Sequence, residues 1–159
     1  MAETRSRTLL RWLAVVAAAG VTSTLILLWL RASTRERGSR LFHGATPLTG
    51  RLTGHEEPLP ADFAKCQNCH QLESEPTPKQ TAAAADAPAE RVGPKLGAVS
   101  LTRAVQRRGG PASAYTSDTF CRLLRDGIDP AQIMIPQLMP RYTVTDEECN
   151  ALWTYLNAN

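Results

Sequence analysis

Residues 65–71 read Lys-Cys-Gln-Asn-Cys-His-Gln. Two cysteines flank two residues, and a histidine follows the second without a gap. Two thiols and an imidazole are therefore confined to one short stretch of chain. Whatever uses all three must sit directly against that stretch, so the rest of the fold has to be built around it. Three uses compete: a redox dithiol, half of a structural metal site, and the covalent seat of a prosthetic group.

A tetrahedral zinc site needs four ligands, usually from a second Cys-x-x-Cys or a His pair. The two remaining cysteines, Cys121 and Cys149, stand alone and far apart in sequence. A thioredoxin-type pair normally follows a strand in a βαβ setting, and no such setting is visible here. The third use needs only what is present. Cys-x-x-Cys-His is the attachment sequence for c-type haem: each thiol adds to one vinyl group of the porphyrin, and the histidine then lies under the iron. Cys66 and Cys69 are thus the expected attachment points of one covalently bound haem c, and His70 its expected proximal ligand.

A second segment points the same way. A six-coordinate electron-transfer haem takes a thioether opposite the histidine, which raises its potential and closes the iron. Met139 stands in Met-Pro-Arg-Tyr, just before a helix signal that ends Leu152-Trp-Thr-Tyr-Leu156. Met134, five residues earlier between Ile133 and Ile135, is the weaker candidate and reads as a hydrophobic loop residue. His43 and His55 would give a bis-histidine iron, but both fall in a stretch that reads as solvated.

Taken in order, Cys-x-x-Cys-His, Gly93-Pro94-x-Leu96, Met139-Pro-x-Tyr142 and Leu152-x-x-Tyr-Leu156 resemble the monohaem cytochrome c family over about residues 62–157. The resemblance implies an all-α haem domain with Met139 as the distal ligand. It also implies that the Pro94 carbonyl accepts the ring N–H of His70 and so fixes its tautomer, and that Leu96 packs on the haem. The gap between His70 and Pro94 is longer than the family pattern, and the helix that normally leads into the attachment sequence is short or displaced.

Outside this domain the chain divides by composition. From Trp12 to Leu30 there are 19 uncharged residues. As a helix they span roughly 29 Å, about one hydrocarbon core. Trp12 and Trp29 sit at the two ends, where indole rings favour the interface. The run is longer than a signal-peptide core and no good Ala-x-Ala cleavage site follows it, so residues 1–31 read as a retained single-pass membrane anchor. Residues 1–40 hold seven arginines and two acids, whereas residues 41–159 are net acidic. The basic balance of the chain belongs to the membrane flanks and is no argument for nucleic-acid binding. Arginines flank the run on both sides, so orientation is read from haem attachment, which takes place outside the cytoplasm. That puts the domain on the periplasmic face of a bacterial inner membrane.

Residues 32–61 contain four glycines and three prolines and read as a tether. Residues 62–159 are the haem domain, with 74–90, rich in Ala, Pro and acids, as a flexible insertion. Expected helices run from Asp62 to Gln71 (with Asp62 as N-cap), from Val99 to Arg107, from a Ser117-Asp118 cap to about Asp126 (stopped by Gly127), and from Asp146 to about Asn157. The last is capped by Thr145 with Glu148 three residues on. No strand pattern is evident. Cys121 and Cys149 fall on the apolar sides of the last two helices, as two small buried hydrophobes or as a disulfide. Arg103, Arg107 and Arg108 form a basic cluster, either a solvated face or a docking patch.

The functional expectation is a membrane-anchored cytochrome that carries one electron at a time between a donor and an acceptor redox protein. It is not an enzyme in its own right. The alternatives are a haem c subunit of a dehydrogenase or oxidase complex, and a catalytic or gas-sensing haem with an open distal site.

Overall fold

The structure is a computed structural model, and it describes residues 22, 23, 26, 28–76 and 93–159. Most of the anchor run, 12–30, lies outside the described residues, as does the Ala/Pro-rich insertion from residue 77 onward. Among the described residues, no helix is long and apolar enough to cross a membrane. The chain forms two units, Met1–Ser33 and Thr34–Asn159. In the first, the described residues are helical, and Ile26, Leu28, Trp29 and Leu30 are all exposed.

The second unit is mostly helical. Its elements are α1 (residues 34–42), β1 (Thr49–Arg51), a 3₁₀ turn (Cys66–Asn68), α2 (Ala98–Thr102), α3 (Ser117–Asp126), β2 (Arg141–Thr143) and α4 (Asp146–Leu156). The all-α expectation misses one feature. β1 and β2 pair antiparallel, with Gly50 opposite Tyr142. Each strand is three residues long, too short for alternation to show in the sequence.

The reading of 32–61 as a tether is corrected. Residues 34–42 form α1, and Leu41, Phe42 and Leu48 are buried in the core. Gly38 supplies the reason. A Cβ there would strike the Ala151 carbonyl and come within 2.6 Å of Tyr155 Cβ. Glycine in this helix permits the close approach of α1 to α4, so the residue that looked like a breaker is a packing contact. A helix does precede the attachment sequence, but a strand and a loop separate the two.

Three boundaries also move. Asp62 caps no helix. It pairs with Lys65 at 2.7 Å, and only Cys66–Asn68 are helical, as a single 3₁₀ turn. The helix expected over 99–107 ends at Thr102, and Val105 instead bridges to Ser113. The N-cap of α3 is Thr116, whose hydroxyl accepts from Thr119 N–H in a capping box. Gly127, at φ 71°, ends that helix as expected. Thr145 and Glu148 form the expected capping box on α4.

The core gathers Phe120, Leu123 and Leu124 of α3, Leu152, Tyr155 and Leu156 of α4, and Leu41 and Phe42 of α1. Phe120 packs on Trp153 with ring centroids 5.7 Å apart. Among the described residues, Asp129 is the fully buried charge. Its Oδ1 accepts from the backbone N–H groups of Ala131 and Ile133, and its Oδ2 accepts from Arg108 Nη1 at 3.2 Å. This pairing joins the 105–113 loop to the loop that follows α3.

Candidate functional site

The second unit contains an apolar cavity of about 410 Å³. The Cys-x-x-Cys-His, Gly-Pro-x-Leu and Met-Pro-x-Tyr segments all line it: Cys66, Cys69, His70, Pro94, Leu96 and Met139 are on its wall. The residues singled out by the sequence therefore converge on one space, although up to 73 positions separate them in the chain.

The 3₁₀ turn presents the attachment residues. Its tightness comes from backbone bonds, with the N–H groups of Cys69 and His70 both donating to the Cys66 carbonyl. Neither Cys66 nor Cys69 is in a disulfide. Burial pushes the Cys66 thiol up to about 12. The Tyr142 hydroxyl lies within hydrogen-bond reach of that thiol and donates to the Ala64 carbonyl at 3.0 Å. Tyr142 thereby binds the Met-Pro-Arg-Tyr segment to the residues just before the attachment turn.

His70 is held from the side that the sequence implied. Its Nδ1 lies 2.8 Å from the Pro94 carbonyl oxygen. A carbonyl can only accept, so Nδ1 carries the proton and Nε2 carries the lone pair in the neutral ring. Burial pulls the imidazole below its usual pKa, and the Pro94 bond works against that shift. Gly93 makes the arrangement possible: a Cβ at that position would overlap the His70 ring and come within 2.9 Å of the Cys69 carbonyl. Leu96 is fixed by backbone pairing with the segment after His70. Its N–H donates to the Gln71 carbonyl at 2.8 Å and its carbonyl accepts from Glu73.

The candidate ligands differ in exposure and in their partners. Met139 is partly buried against the core and lines the cavity, whereas Met134 is 64 % exposed. His55 is exposed. Both ring nitrogens of His43 are engaged: Nδ1 donates to Gln67 Oε1 at 2.7 Å, and Nε2 accepts from the Tyr155 hydroxyl at 3.0 Å. Gln67 Nε2 returns a bond to the His43 carbonyl. His43 is therefore not a solvated tether residue but a brace between α1, α4 and the attachment turn. The sequence carried no signal of this, because Gln67 occupies a variable position of the motif.

Cys121 and Cys149 are disulfide-bonded, with Cα atoms 5.5 Å apart. Neither is then available as a metal ligand. Among the described residues, no group of three or more His, Cys, Asp or Glu side chains is placed to hold a metal ion.

The charge around the cavity is one-sided. Lys65, Lys95, Arg107 and Arg108 line it, and among the described residues no carboxylate does. Arg107 stands out. Its guanidinium donates to the carbonyls of Val105, Ser113 and Ser100 and lies over the Tyr115 ring, 4.9 Å from the centroid. No carboxylate pairs with it among the described residues. Of the basic cluster, Arg103 is exposed and Arg107 half-buried.

No protein-family model matches the chain, and no curated protein and no solved structure is significantly similar to it.

Proposed function

We propose that Thr34–Asn159 is a monohaem cytochrome c domain and that the chain is a membrane-anchored one-electron carrier. The observation that carries this reading is the convergence of Cys66, Cys69, His70, Pro94, Leu96 and Met139 on one apolar cavity. The cavity suits the group chemically. Its wall is hydrophobic, as a porphyrin face requires, and its cations match the carboxylates at a haem edge. The His70 tautomer leaves the correct nitrogen basic for iron. The competing uses are weaker. The disulfide takes up the two cysteines a zinc site would need, and a buried thiol with a raised pKa is a poor redox nucleophile.

Bound here, haem would supply an iron centre that gains and loses one electron. Cys66 and Cys69 would hold it covalently, and His70 Nε2 and Met139 Sδ would be the groups that ligate its iron. Pro94 orients His70, and the wall of the cavity is mostly apolar. The exposed apolar residues of the first unit, Ile26, Leu28, Trp29 and Leu30, suit contact with lipid. Attachment of haem outside the cytoplasm would place the domain on the periplasmic face, exchanging electrons with a donor and an acceptor protein.

The test is spectroscopic, on the full-length chain expressed with the c-type maturation machinery. Covalent haem on a denaturing gel, a low-spin spectrum with a methionine–iron charge-transfer band, and no CO binding by the reduced protein are expected. Met139→Ala should lose the band and bind CO, while Met134→Ala should do neither. Prompt CO binding by the unaltered protein would move the function to a catalytic or gas-sensing haem. No retained haem would overturn the reading.

A further inference from the structure

Arg141 is the variable residue of Met-Pro-Arg-Tyr, and its side chain does not turn outward. Nη1 donates to the carbonyl of Met139 at 2.6 Å, and Nη2 to the carbonyl of Ile135 at 3.3 Å. No carboxylate pairs with it among the described residues. Its guanidinium lies against Gly127, the left-handed residue that ends α3, where a Cβ would overlap it. The same loop is fastened from its other side, since Ile135 N–H donates to the Gly127 carbonyl at 2.8 Å. One planar fork thus grips both ends of the 135–139 turn from strand β2.

Resting on the haem reading above, we infer that Arg141 is a positioning residue that holds Met139 in place as the distal ligand. The bond to the Met139 carbonyl fixes the peptide plane from which the thioether projects. Without it the turn keeps its sequence and its apolar contacts but loses the anchor nearest the sulfur. Dissociation of the thioether then becomes easier, and an external ligand competes better. Hydrogen bonds from a charged donor are each strong enough that losing one shifts such an equilibrium by about tenfold or more.

The experiment uses the full-length, haem-loaded chain, with CO as the probe of the distal position. Arg141→Gln should retain covalent haem, weaken the methionine–iron charge-transfer band, and bind CO at least about tenfold faster than the unaltered protein. Arg141→Lys, which keeps the charge but cannot span both carbonyls, should fall between the two. Gly127→Asn approaches from the other side. Asparagine tolerates the left-handed conformation, but its Cβ displaces the guanidinium, so CO binding should again accelerate. A purely structural role would lower the melting temperature and leave the band and CO kinetics of the folded protein unchanged. That result in Arg141→Gln, or in Gly127→Asn if Arg141→Gln does not fold, overturns this inference alone. An unaltered protein without covalent haem overturns the haem reading and this inference with it.

Discussion

Removing the Cys121–Cys149 bridge should lower stability by an amount the structure allows to be worked out. The bond joins α3 to α4 across a sequence separation of 28. It encloses the whole distal segment, from Gly127 through Met139 to Tyr142. On the chain-entropy treatment, a cross-link of this separation stabilises by about 3.5 kcal/mol at 25 °C, by restricting the unfolded chain. Truncating a fully buried Cys149 to alanine adds about 1 kcal/mol for the space left behind. In a unit the size of Thr34–Asn159, each kcal/mol moves the melting temperature by about 4 °C. Cys121→Ala/Cys149→Ala should therefore melt about 14–18 °C below the unaltered protein. It should still fold, because Phe120 remains packed on Trp153 and Arg125 Nη2 remains 2.6 Å from Asp146 Oδ1. That exposed ion pair adds little energy but keeps the two helices in register. The assay is thermal unfolding of the full-length chain in detergent, followed by far-ultraviolet circular dichroism. A thiol reductant provides a second comparison without mutation, since it opens a disulfide and leaves thioethers intact. A change of under about 3 °C on both routes, or two reactive thiols in the untreated folded protein, would refute the reasoning.

Gly38→Ala should destabilise, although alanine is the better helix former by about 1 kcal/mol, because its Cβ would collide with the Ala151 carbonyl. A net loss of about 1–2 kcal/mol in a denaturant titration is expected, and a gain would show that α1 and α4 do not cross there. Asp129→Ala should cost about 3 kcal/mol, since it strands two backbone donors and the Arg108 charge, while Arg108→Ala should cost about 1 kcal/mol because Asp129 keeps its backbone partners. Equal losses in the two variants would contradict that ordering. His43→Ala should cost about 2 kcal/mol by removing the bonds to Gln67 and Tyr155, yet leave the proposed haem low-spin. A change of axial ligation in that variant would instead make His43 an iron ligand.

What could be read from the sequence was local chemistry. Cys66, Cys69 and His70 lie within five residues, and the attachment role proposed for them was read from that spacing. The capping box at Thr145 and Glu148 and the stop at Gly127 are likewise signals confined to a few residues, and both appear in the structure. Pro94 and Leu96 were legible only through resemblance, because 24 residues separate Pro94 from the histidine whose proton it holds. The choice of Met139 over Met134 also had a local basis in the proline and tyrosine that follow it. Burial then separated the two.

The sequence by itself set which groups are available: two thiols and an imidazole in one turn, a thioether before a capped helix, and an excess of arginine beside a long apolar run. Tertiary structure decided which of them meet. Gly38 counts as a helix breaker until α4 lies against it. His43 counts as a tether residue until Gln67 and Tyr155 claim both its nitrogens. Arg141 is only the variable residue of Met-Pro-Arg-Tyr until the turn before it folds back under its guanidinium. Each of these roles depends on a partner distant in the chain. Composition and periodicity register only neighbours, and close packing is what turns a permissive residue into a required one.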